Sequence, residues 1–266
     1  MVCDGQKQLK KFLEISKSLK HLEALVMYGT EDLPTDMGNK SKKVKVYKFA
    51  DFLKLGANVP DSELKTRGEK ALPGEVTSLI YTSGTTGPPK AVMITNDNIT
   101  WTTKTMLGTL PREYNNDDHL VSYLPLNHIA AQILDLHIGI ATGIQAWFAQ
   151  PDALRGSLGV TLKEVRPTVF LGVPRVWEKI YDKMQEVGKS TTGVKKVLGA
   201  WAKGQATEYW QSKQFASTSS EPWFYSLAQV LLKKVREALG LDRVSTWVFG
   251  VSSSLALIIY THFICL

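Results

Sequence analysis

The sequence predicts an α/β fold with a largely parallel sheet. Short apolar runs rich in β-branched residues alternate along the chain with segments whose apolar residues recur at helical spacing. The 266 residues are 44% hydrophobic and 21% charged, which is ordinary for a globular protein that buries a sizeable core. The two cysteines, Cys3 and Cys265, stand at opposite ends of the chain, so we expect neither a disulfide framework nor a cysteine metal site.

Each element follows from its local pattern. The first predicted helix, over residues 4–20, carries apolar residues on one face and lysines on the other. The other predicted helices cover 49–55, 96–107, 129–142, 161–165, 174–184 and 222–239. The predicted strands cover 22–28, 44–47, 76–80, 91–95, 119–124, 144–149 and 168–173. The polar residues 58–75 are expected to form an exposed connector.

Helix ends carry their own signals. Asn96 is a predicted N-cap, since its side chain can accept a hydrogen bond from the first turn. Pro174 is expected at the first helical position, where its missing N–H costs no hydrogen bond. Gly143 and Gly240 are expected to end helices, because glycine adopts the left-handed conformation there without strain.

A loop rich in hydroxyls and glycine separates two predicted strands, which we expect to be buried. It reads Tyr81-Thr82-Ser83-Gly84-Thr85-Thr86-Gly87-Pro88-Pro89-Lys90 and contains no carboxylate. Glycines let backbone N–H groups approach a ligand, hydroxyls donate hydrogen bonds, and the lysine adds a positive charge. These are the parts of a polyphosphate-binding loop, although an ordinary turn is the alternative. A Walker A loop is excluded, because two prolines separate Gly87 from Lys90 and Ala91 follows.

Three motifs in order give the chain a family resemblance. The loop from Tyr81 to Lys90 resembles the phosphate-binding signature of the adenylate-forming superfamily, which includes acyl-CoA synthetases and luciferases. The second motif is Tyr123-Leu124-Pro125-Leu126-Asn127-His128-Ile129-Ala130-Ala131-Gln132. The third is Pro167-Thr168-Val169-Phe170-Leu171-Gly172-Val173-Pro174-Arg175-Val176-Trp177-Glu178-Lys179. Together they are most similar to the bubblegum-type long-chain fatty acyl-CoA synthetases, over about Gln6 to Val244.

The resemblance implies a fold and a reaction. The fold is part of the large N-terminal domain of the acyl-CoA synthetase and luciferase architecture. The reaction is ATP-dependent activation of a long-chain fatty acid through an acyl-adenylate to the coenzyme A thioester, with Mg²⁺. The implied nucleotide-binding residues are Thr82, Ser83, Gly84, Thr85, Thr86, Gly87, Pro88, Pro89 and Lys90. The hydroxyls of Thr85 and Thr86 are the implied neighbours of Mg²⁺.

The resemblance also assigns a role to His128. A lone histidine between a strand and a helix is often only structural, but in this motif the histidine lines the acyl-adenylate site. Orienting the carboxylate fits it better than acting as a general base, because a carboxylate is already ionised at neutral pH. His119 and His137 match no motif and are expected to be structural.

Several apolar side chains and one arginine have open assignments. Trp177, Phe170 and the apolar helix around Ile133 and Leu136 could line an acyl tunnel, although helical spacing favours plain core. Arg175 could pair with Glu178 across one helical turn or contact a phosphate.

The end of the chain departs from the family pattern. We expect residues 1–244 to be a partial adenylation domain and residues 245–266 to be a divergent apolar tail without charges. The segments that hold adenine and ribose, the Mg²⁺-binding glutamate and the C-terminal domain with its catalytic lysine are not found. The sequence therefore resembles a slice truncated at both ends. An abnormal transcript end is the favoured explanation of the tail, with a membrane span or a core strand with a frayed end as alternatives.

Charge bears on partners and location. The chain has a net charge of +7, and much of the excess lies in two lysine-rich runs. Solvated faces explain most such runs, attraction to anionic lipid headgroups is the second interpretation, and no nucleic-acid motif is present. No apolar stretch of a signal peptide follows Met1, so we expect a cytoplasmic protein, with association with the cytosolic face of the endoplasmic reticulum or another membrane left open.

Two other functions remain open at this level. The chain could be an adenylating enzyme for another carboxylate, since the acyl pocket is not defined by these motifs. It could also be an inactive fragment that acts as an interaction or membrane-adaptor protein.

Overall fold

The computed structural model describes residues 1–35, 44–82, 87–190, 192–214 and 223–249. It divides into two compact units, Met1–Ala71 and Leu72–Leu266. The division into 1–244 and 245–266 remains a prediction.

The first unit is built on a parallel three-stranded sheet. Its elements, in chain order, are β1 Val2–Asp4, α1 Gly5–Ile15, β2 Ala24–Tyr28, β3 Lys45–Lys48, α2 Phe49–Leu55 and α3 Asp61–Lys70. The strand order is β1-β2-β3, with all pairs parallel. Leu9 and Leu13 of α1 pack against Leu25 and Met27 of β2, which confirms the apolar face predicted for this helix.

Helix α3 corrects the prediction that residues 58–75 are a connector. All of its residues are exposed, so it lacks the apolar stripe that signals a helix. The placement of its charges favours the helix. Glu63 and Arg67 form an ion pair 2.6 Å apart across one turn, and Asp61 lies in the first turn, where the helix dipole favours a negative charge.

The second unit contains a parallel four-stranded sheet, which agrees with the largely parallel sheet that the alternating pattern predicts. Its elements, in chain order, are β4 Val76–Thr82, β5 Lys90–Thr95, α4 Asn96–Thr109, β6 His119–Ser122, α5 Ile129–Ala131, a π-helical segment Gln132–Ile138, α6 Gly139–Thr142, β7 Gln145–Phe148, α7 Leu158–Val165, β8 Val169–Gly172, α8 Pro174–Ser190, α9 Gly193–Gln214, α10 Tyr225–Leu239 and β9 Thr246–Phe249. The sheet has the order β7-β6-β8-β9, and every pair in it is parallel.

Several boundaries differ from the sequence analysis. Helix α4 is capped by Thr95 rather than Asn96, because Thr95 and Asn98 form a reciprocal capping box. The helix predicted over 129–142 is interrupted by the π-helical turn. Helix α9 has no predicted counterpart, because its glycines and weak apolar periodicity resemble a loop. Gly143 and Gly240 end their helices at φ 77° and 74°, as predicted.

The strands β4 and β5 form an antiparallel hairpin that is not buried. They pair in register from Thr82 opposite Lys90 to Val76 opposite Thr95, with a bulge near Ser78. Most of their side chains are exposed, including Leu79 and Met93, so the prediction of two buried strands is wrong. An apolar run alone does not reveal whether another layer covers it.

An aromatic cluster forms the centre of the second unit. Phe170 and Trp177 are 0% and 1% exposed, and their rings meet edge to face with centroids 5.5 Å apart. Trp247 and Phe249 of β9 lie against the Trp177 ring. Phe170 and Trp177 are therefore core residues, in agreement with the spacing argument.

Strand β9 bears on residues 245–266. Thr246 to Phe249 pair in parallel with Val169 to Gly172 of β8. This part of the tail is therefore a core strand, which is one of the three explanations that the sequence left open for residues 245–266. Residues 250–266 lie outside the described residues. None of the helices in the described ranges combines the length and the apolar character that a bilayer crossing requires.

Gly172 is the position at which one methyl group should disturb this core most. A Cβ there would lie 2.0–2.2 Å from three atoms of the Trp177 indole. We expect Gly172→Ala to lower the free energy of unfolding by about 1–3 kcal/mol, because the indole must leave its site. All seven tryptophans follow residue 71, so denaturant unfolding monitored by tryptophan fluorescence reports the second unit.

The matched control is Gly204→Ala on α9, where a Cβ meets no atom within 4 Å. We expect it to be neutral or to stabilise by about 0.5–1 kcal/mol, since alanine favours a helix. A Gly172→Ala protein as stable as this control would contradict the close packing of β8 on α8.

Candidate active site

Two of the three motifs lie at one edge of the four-stranded sheet. The second motif follows β6, and the third spans β8 and the start of α8. Since β6 and β8 are parallel neighbours, their carboxyl ends lie side by side. Ligands of open parallel sheets bind outside this edge, between the loops that leave it. The geometry therefore places the loop 123–128 and residues 173–175, at which α8 begins, where a small-molecule site is expected.

Tyr123 connects these two segments. Its hydroxyl donates to the carbonyl of Leu171 at 2.7 Å and accepts from the N–H of Val173 at 3.3 Å. The ring stacks on Phe170, and burial raises the pKa of the phenol to about 12. Tyr123 is thus a neutral, buried clamp that fixes the end of β6 against the end of β8. The sequence motif contains Tyr123 but predicts no role for it.

His128 is the N-cap of α5. The ring Nδ1 of His128 accepts a hydrogen bond from the backbone N–H of Ala130 at 3.2 Å. The backbone N–H of His128 donates to the carbonyl of Pro125 at 2.9 Å. The side chain is exposed, so its Nε2 edge is accessible to a ligand. The backbone turn held by Pro125 and the cap together fix the direction of the imidazole.

The described part of the phosphate loop is also accessible. Thr82, Gly87 and Lys90 are exposed, and a Cβ at Gly87 would meet no atom within 4 Å. The Thr82 hydroxyl donates weakly to the carbonyl of Lys90 at 3.4 Å, across the base of the hairpin. The implied ligands Ser83, Gly84, Thr85 and Thr86 lie outside the described residues, and so does the implied Mg²⁺ position.

Lys90 and His128 are not joined to each other. Within the described part of the chain, no hydrogen bond connects them. A cavity of about 1230 Å³ lies between helices α7 to α10, and neither residue lines it. Arg175 lines that cavity, and among the described side chains no ion pair links it to Glu178.

Asp135 is a buried carboxyl group in the helical segment that follows His128. It lies in the π-helical turn and accepts a hydrogen bond from the Ser122 hydroxyl at 2.7 Å, at the end of β6. Burial raises its pKa from 3.8 to about 6, and the hydrogen bond from Ser122 offsets only part of this. A π-turn inside a helix is a frequent mark of a functional site. Neither residue appears among the predicted site residues, because one aspartate in an apolar helix gives no motif.

At the opposite edge of the sheet, charged side chains form ion pairs with each other. Arg112 donates to both oxygens of the buried Asp118, at 2.5 and 3.0 Å, and these bonds hold the pKa of that carboxyl below its usual range. Arg166 pairs in the same way with Asp242. His119 also lies at this edge, with Nδ1 3.3 Å from the carbonyl of Val165, and fits its predicted structural role. These charges are paired within the protein and connect the loops at this edge.

Side chains that commonly bind metal ions are not clustered among the described residues. Within the described ranges, no three His, Cys, Asp or Glu side chains lie close enough to hold a metal ion.

Comparison with known proteins agrees with the motifs. The family model described as AMP-binding enzyme matches residues 1–221. The long-chain-fatty-acid–CoA ligase ACSBG2 of Xenopus laevis is 42% identical over 254 residues, which is 95% of this chain and 33% of that protein. The ligase ACSBG1 of Homo sapiens is also 42% identical, over 96% of this chain and 34% of that protein. The chain thus spans about a third of the length of these relatives, and the predicted similarity to bubblegum-type synthetases is confirmed.

Solved structures support the fold. The A-PCP didomain of carboxylic acid reductase from Segniliparus rugosus, in complex with AMP, has a TM-score of 0.59 at 19% identity. The match covers 98% of this chain and 34% of that one. The A domain of the same reductase, with AMP and a co-purified carboxylic acid, has a TM-score of 0.55 at 18% identity, covering 98% of this chain and 39% of that one. The predicted adenylate-forming architecture is therefore confirmed.

The buried carboxyl group makes stability depend on pH. The folded chain holds a proton on Asp135 up to about pH 6, whereas the unfolded chain releases it near 3.8. Stability from this group is therefore present below the unfolded value and is lost as the pH rises through about 6. We expect Asp135→Asn to stabilise the second unit by up to about 3 kcal/mol near neutral pH and by almost nothing near pH 4.

Urea unfolding followed by tryptophan fluorescence at both pH values measures this gain. The control is Asp117→Asn, an exposed aspartate of the same unit, which should give no gain that grows with pH. The same small effect for both variants would mean that Asp135 is not held protonated by burial.

Proposed function

Because the chain belongs to the AMP-binding enzyme family, we propose that it is part of an ATP-dependent ligase that converts a long-chain fatty acid into its coenzyme A thioester. The observation that carries the proposal is the 42% identity to long-chain-fatty-acid–CoA ligases across almost the whole of this chain. Since the chain spans about a third of those proteins, the complete activity is proposed for a protein that contains this sequence and the remaining length.

The proposed chemistry has two balanced steps. A carboxylate oxygen of the fatty acid attacks the α-phosphorus of ATP, and pyrophosphate leaves. The sulfur of the coenzyme A thiolate then attacks the acyl carbon, and AMP leaves. Positioning and charge neutralisation dominate such transfers, so the protein needs few groups that change covalently. Bound Mg²⁺ would supply further neutralisation of the phosphate charge.

The phosphate loop fits a nucleotide as far as it is described. Lys90 offers an exposed ammonium group at the base of the hairpin, and no carboxylate of the loop competes for it. Thr82 contributes a hydroxyl, and Gly87 leaves room for a ligand to approach the backbone. We assign to these residues the binding of the β- and γ-phosphates. Ser83, Gly84, Thr85 and Thr86 share that role by the family resemblance.

His128 is proposed to orient the carboxylate. Its exposed ring starts a helix at the carboxyl edge of the sheet, next to the part of the third motif where α8 begins. A hydrogen bond from the imidazole can hold one carboxylate oxygen in line with the phosphorus. Tyr123 acts as a positioning residue, because it fixes the two segments relative to each other.

The proposed location is the cytoplasm, with contact to the cytosolic face of the endoplasmic reticulum or another membrane. Fatty acids partition into membranes, and the positive charge of the chain favours anionic headgroups.

Lys90→Ala tests the phosphate loop. We expect ATP to bind the variant about tenfold more weakly, because a charge-assisted hydrogen bond to phosphate is lost. Isothermal titration of the purified chain with MgATP measures this change. Lys104→Ala, an exposed lysine on α4, is the control and should bind ATP like the unmodified chain. Equal affinities for both variants would remove Lys90 from the site.

Pyrophosphate release tests the reaction. We expect palmitate-dependent release from ATP with a longer protein that contains this sequence, and a marked loss of that activity in its His128→Ala variant. The 266-residue chain is assayed beside it. Release by this chain alone would refute the interpretation as an inactive fragment, whereas release that does not depend on palmitate would refute the fatty acid as substrate.

A further inference from the structure

A large groove lies between four helices of the second unit, away from the phosphate loop. Helices α7, α8, α9 and α10 line it, together with the turn at Ala153–Arg155, and its volume is about 1230 Å³. Its interior is apolar. The aliphatic side chains that line it include Leu158, Leu162, Val176, Ile180, Met184, Leu232 and Val235.

The charged residues that line this groove, among those the structure describes, are all basic. Nine basic residues line it, namely Arg155, Lys163, Arg175, Lys179, Lys183, Lys189, Lys195, Lys196 and Lys203. Within the described part of the chain, no Asp or Glu lines it. We call this feature, with its apolar interior and these nine residues, the basic groove.

The positive charge of the groove lining results from where the charged side chains lie on the helices, and not only from a high content of basic residues. Helix α8 carries Glu178 and Asp182 as well as lysines, but its acidic residues lie outside the groove lining while Arg175, Lys179 and Lys183 lie inside it. Residues four apart share one face of a helix, so α8 has a basic stripe towards the groove and an acidic stripe away from it.

Few of these positive charges are neutralised within the protein. Lys183 pairs with Glu186 at 2.7 Å, and Lys179 donates to the carbonyl of Leu154. In the described ranges, no ion pair engages the other seven. Lys189, Lys195 and Lys196 are exposed at the junction of α8 and α9. An occupant of the groove is therefore expected to be anionic and to carry apolar chains.

We propose that the basic groove binds an anionic phospholipid, so that this face of the second unit docks on a negatively charged membrane surface. The acyl chain lies along the apolar interior, and the lysines contact its headgroup and those of neighbouring lipids. A single fatty acid fits less well, because one carboxylate cannot engage basic residues spread over three helices. The volume of the groove also exceeds the roughly 300–1,000 Å³ of most small-ligand sites. Each lysine near an anionic leaflet adds to the attraction.

Co-sedimentation with vesicles tests the charge. We expect the full chain to bind vesicles of phosphatidylcholine mixed with phosphatidylserine more tightly than vesicles of phosphatidylcholine alone, and less tightly as salt is raised. The triple variant Lys189→Glu, Lys195→Glu, Lys196→Glu should bind the mixed vesicles at least about tenfold more weakly.

The matched control is Lys7→Glu, Lys10→Glu, Lys11→Glu on α1, which changes the net charge by the same amount. Both triple variants keep residues 245–266, so any association through those residues is equal in the two. Binding that falls equally in both variants would overturn the proposal, as would equal binding of the unmodified chain to both kinds of vesicle.

A pair of glycine variants on α9 tests entry of the acyl chain. A Cβ at Gly199 or at Gly204 meets no atom within 4 Å, but only Gly199 lines the groove. We expect Gly199→Trp to fill the interior and to weaken binding to the mixed vesicles by about fourfold for each methylene displaced. Gly204→Trp should bind like the unmodified chain.

Equal binding by the two tryptophan variants would overturn the insertion of an acyl chain. A dimer of the chain that Gly199→Trp abolishes, without any effect on vesicle binding, would instead assign the groove to a second copy of the protein. The proposal does not depend on adenylation. The groove variants are expected to keep the ATP affinity of the unmodified chain, and failure of the Lys90→Ala test leaves this one intact.

Discussion

The close contact between Gly172 and the Trp177 indole is the constraint on which the second unit depends. Because residue 172 has no side chain, the indole of α8 lies directly against the end of β8, where a Cβ would be only 2.0 Å away. The same ring contacts Phe170, Trp247 and Phe249, so one side chain joins α8, β8 and β9. This packing fixes where α8 begins, and therefore where the third motif leaves the sheet.

The two edges of the sheet have different electrostatic roles. At the amino edge, Asp118 and Asp242 are matched by Arg112 and Arg166, and the ion pairs connect the loops at this edge. At the carboxyl edge, Tyr123 holds the two motif segments together with a neutral hydroxyl, which leaves the exposed His128 ring for a ligand. An enzyme that binds a polyphosphate and a carboxylate needs accessible donors of this kind, and not charges already paired within the protein.

The basic groove adds a second surface to the same unit. Helix α8 serves both, because its first residues leave the carboxyl edge of the sheet while its basic stripe faces the groove. Membrane docking through this face would bring the proposed ligase to the phase in which long-chain fatty acids are concentrated. The residues substituted to test the groove are not those substituted to test ATP binding, so the two functions can be separated by mutation.

The sequence by itself determined the α/β class, the parallel sheet, the turns at Gly143 and Gly240 and the three motifs, because local periodicity, glycine conformation and residue chemistry act over a few residues. It misjudged the hairpin of Val76 to Thr95 as buried and passed over α3 and α9, whose apolar patterns are weak. Only the tertiary structure decided which charges are satisfied. Three features arise only when separate segments of the chain meet. They are the raised pKa of Asp135, the hydrogen bonds of Tyr123 to the end of β8, and the basic lining of the groove. No local pattern specifies how those segments meet.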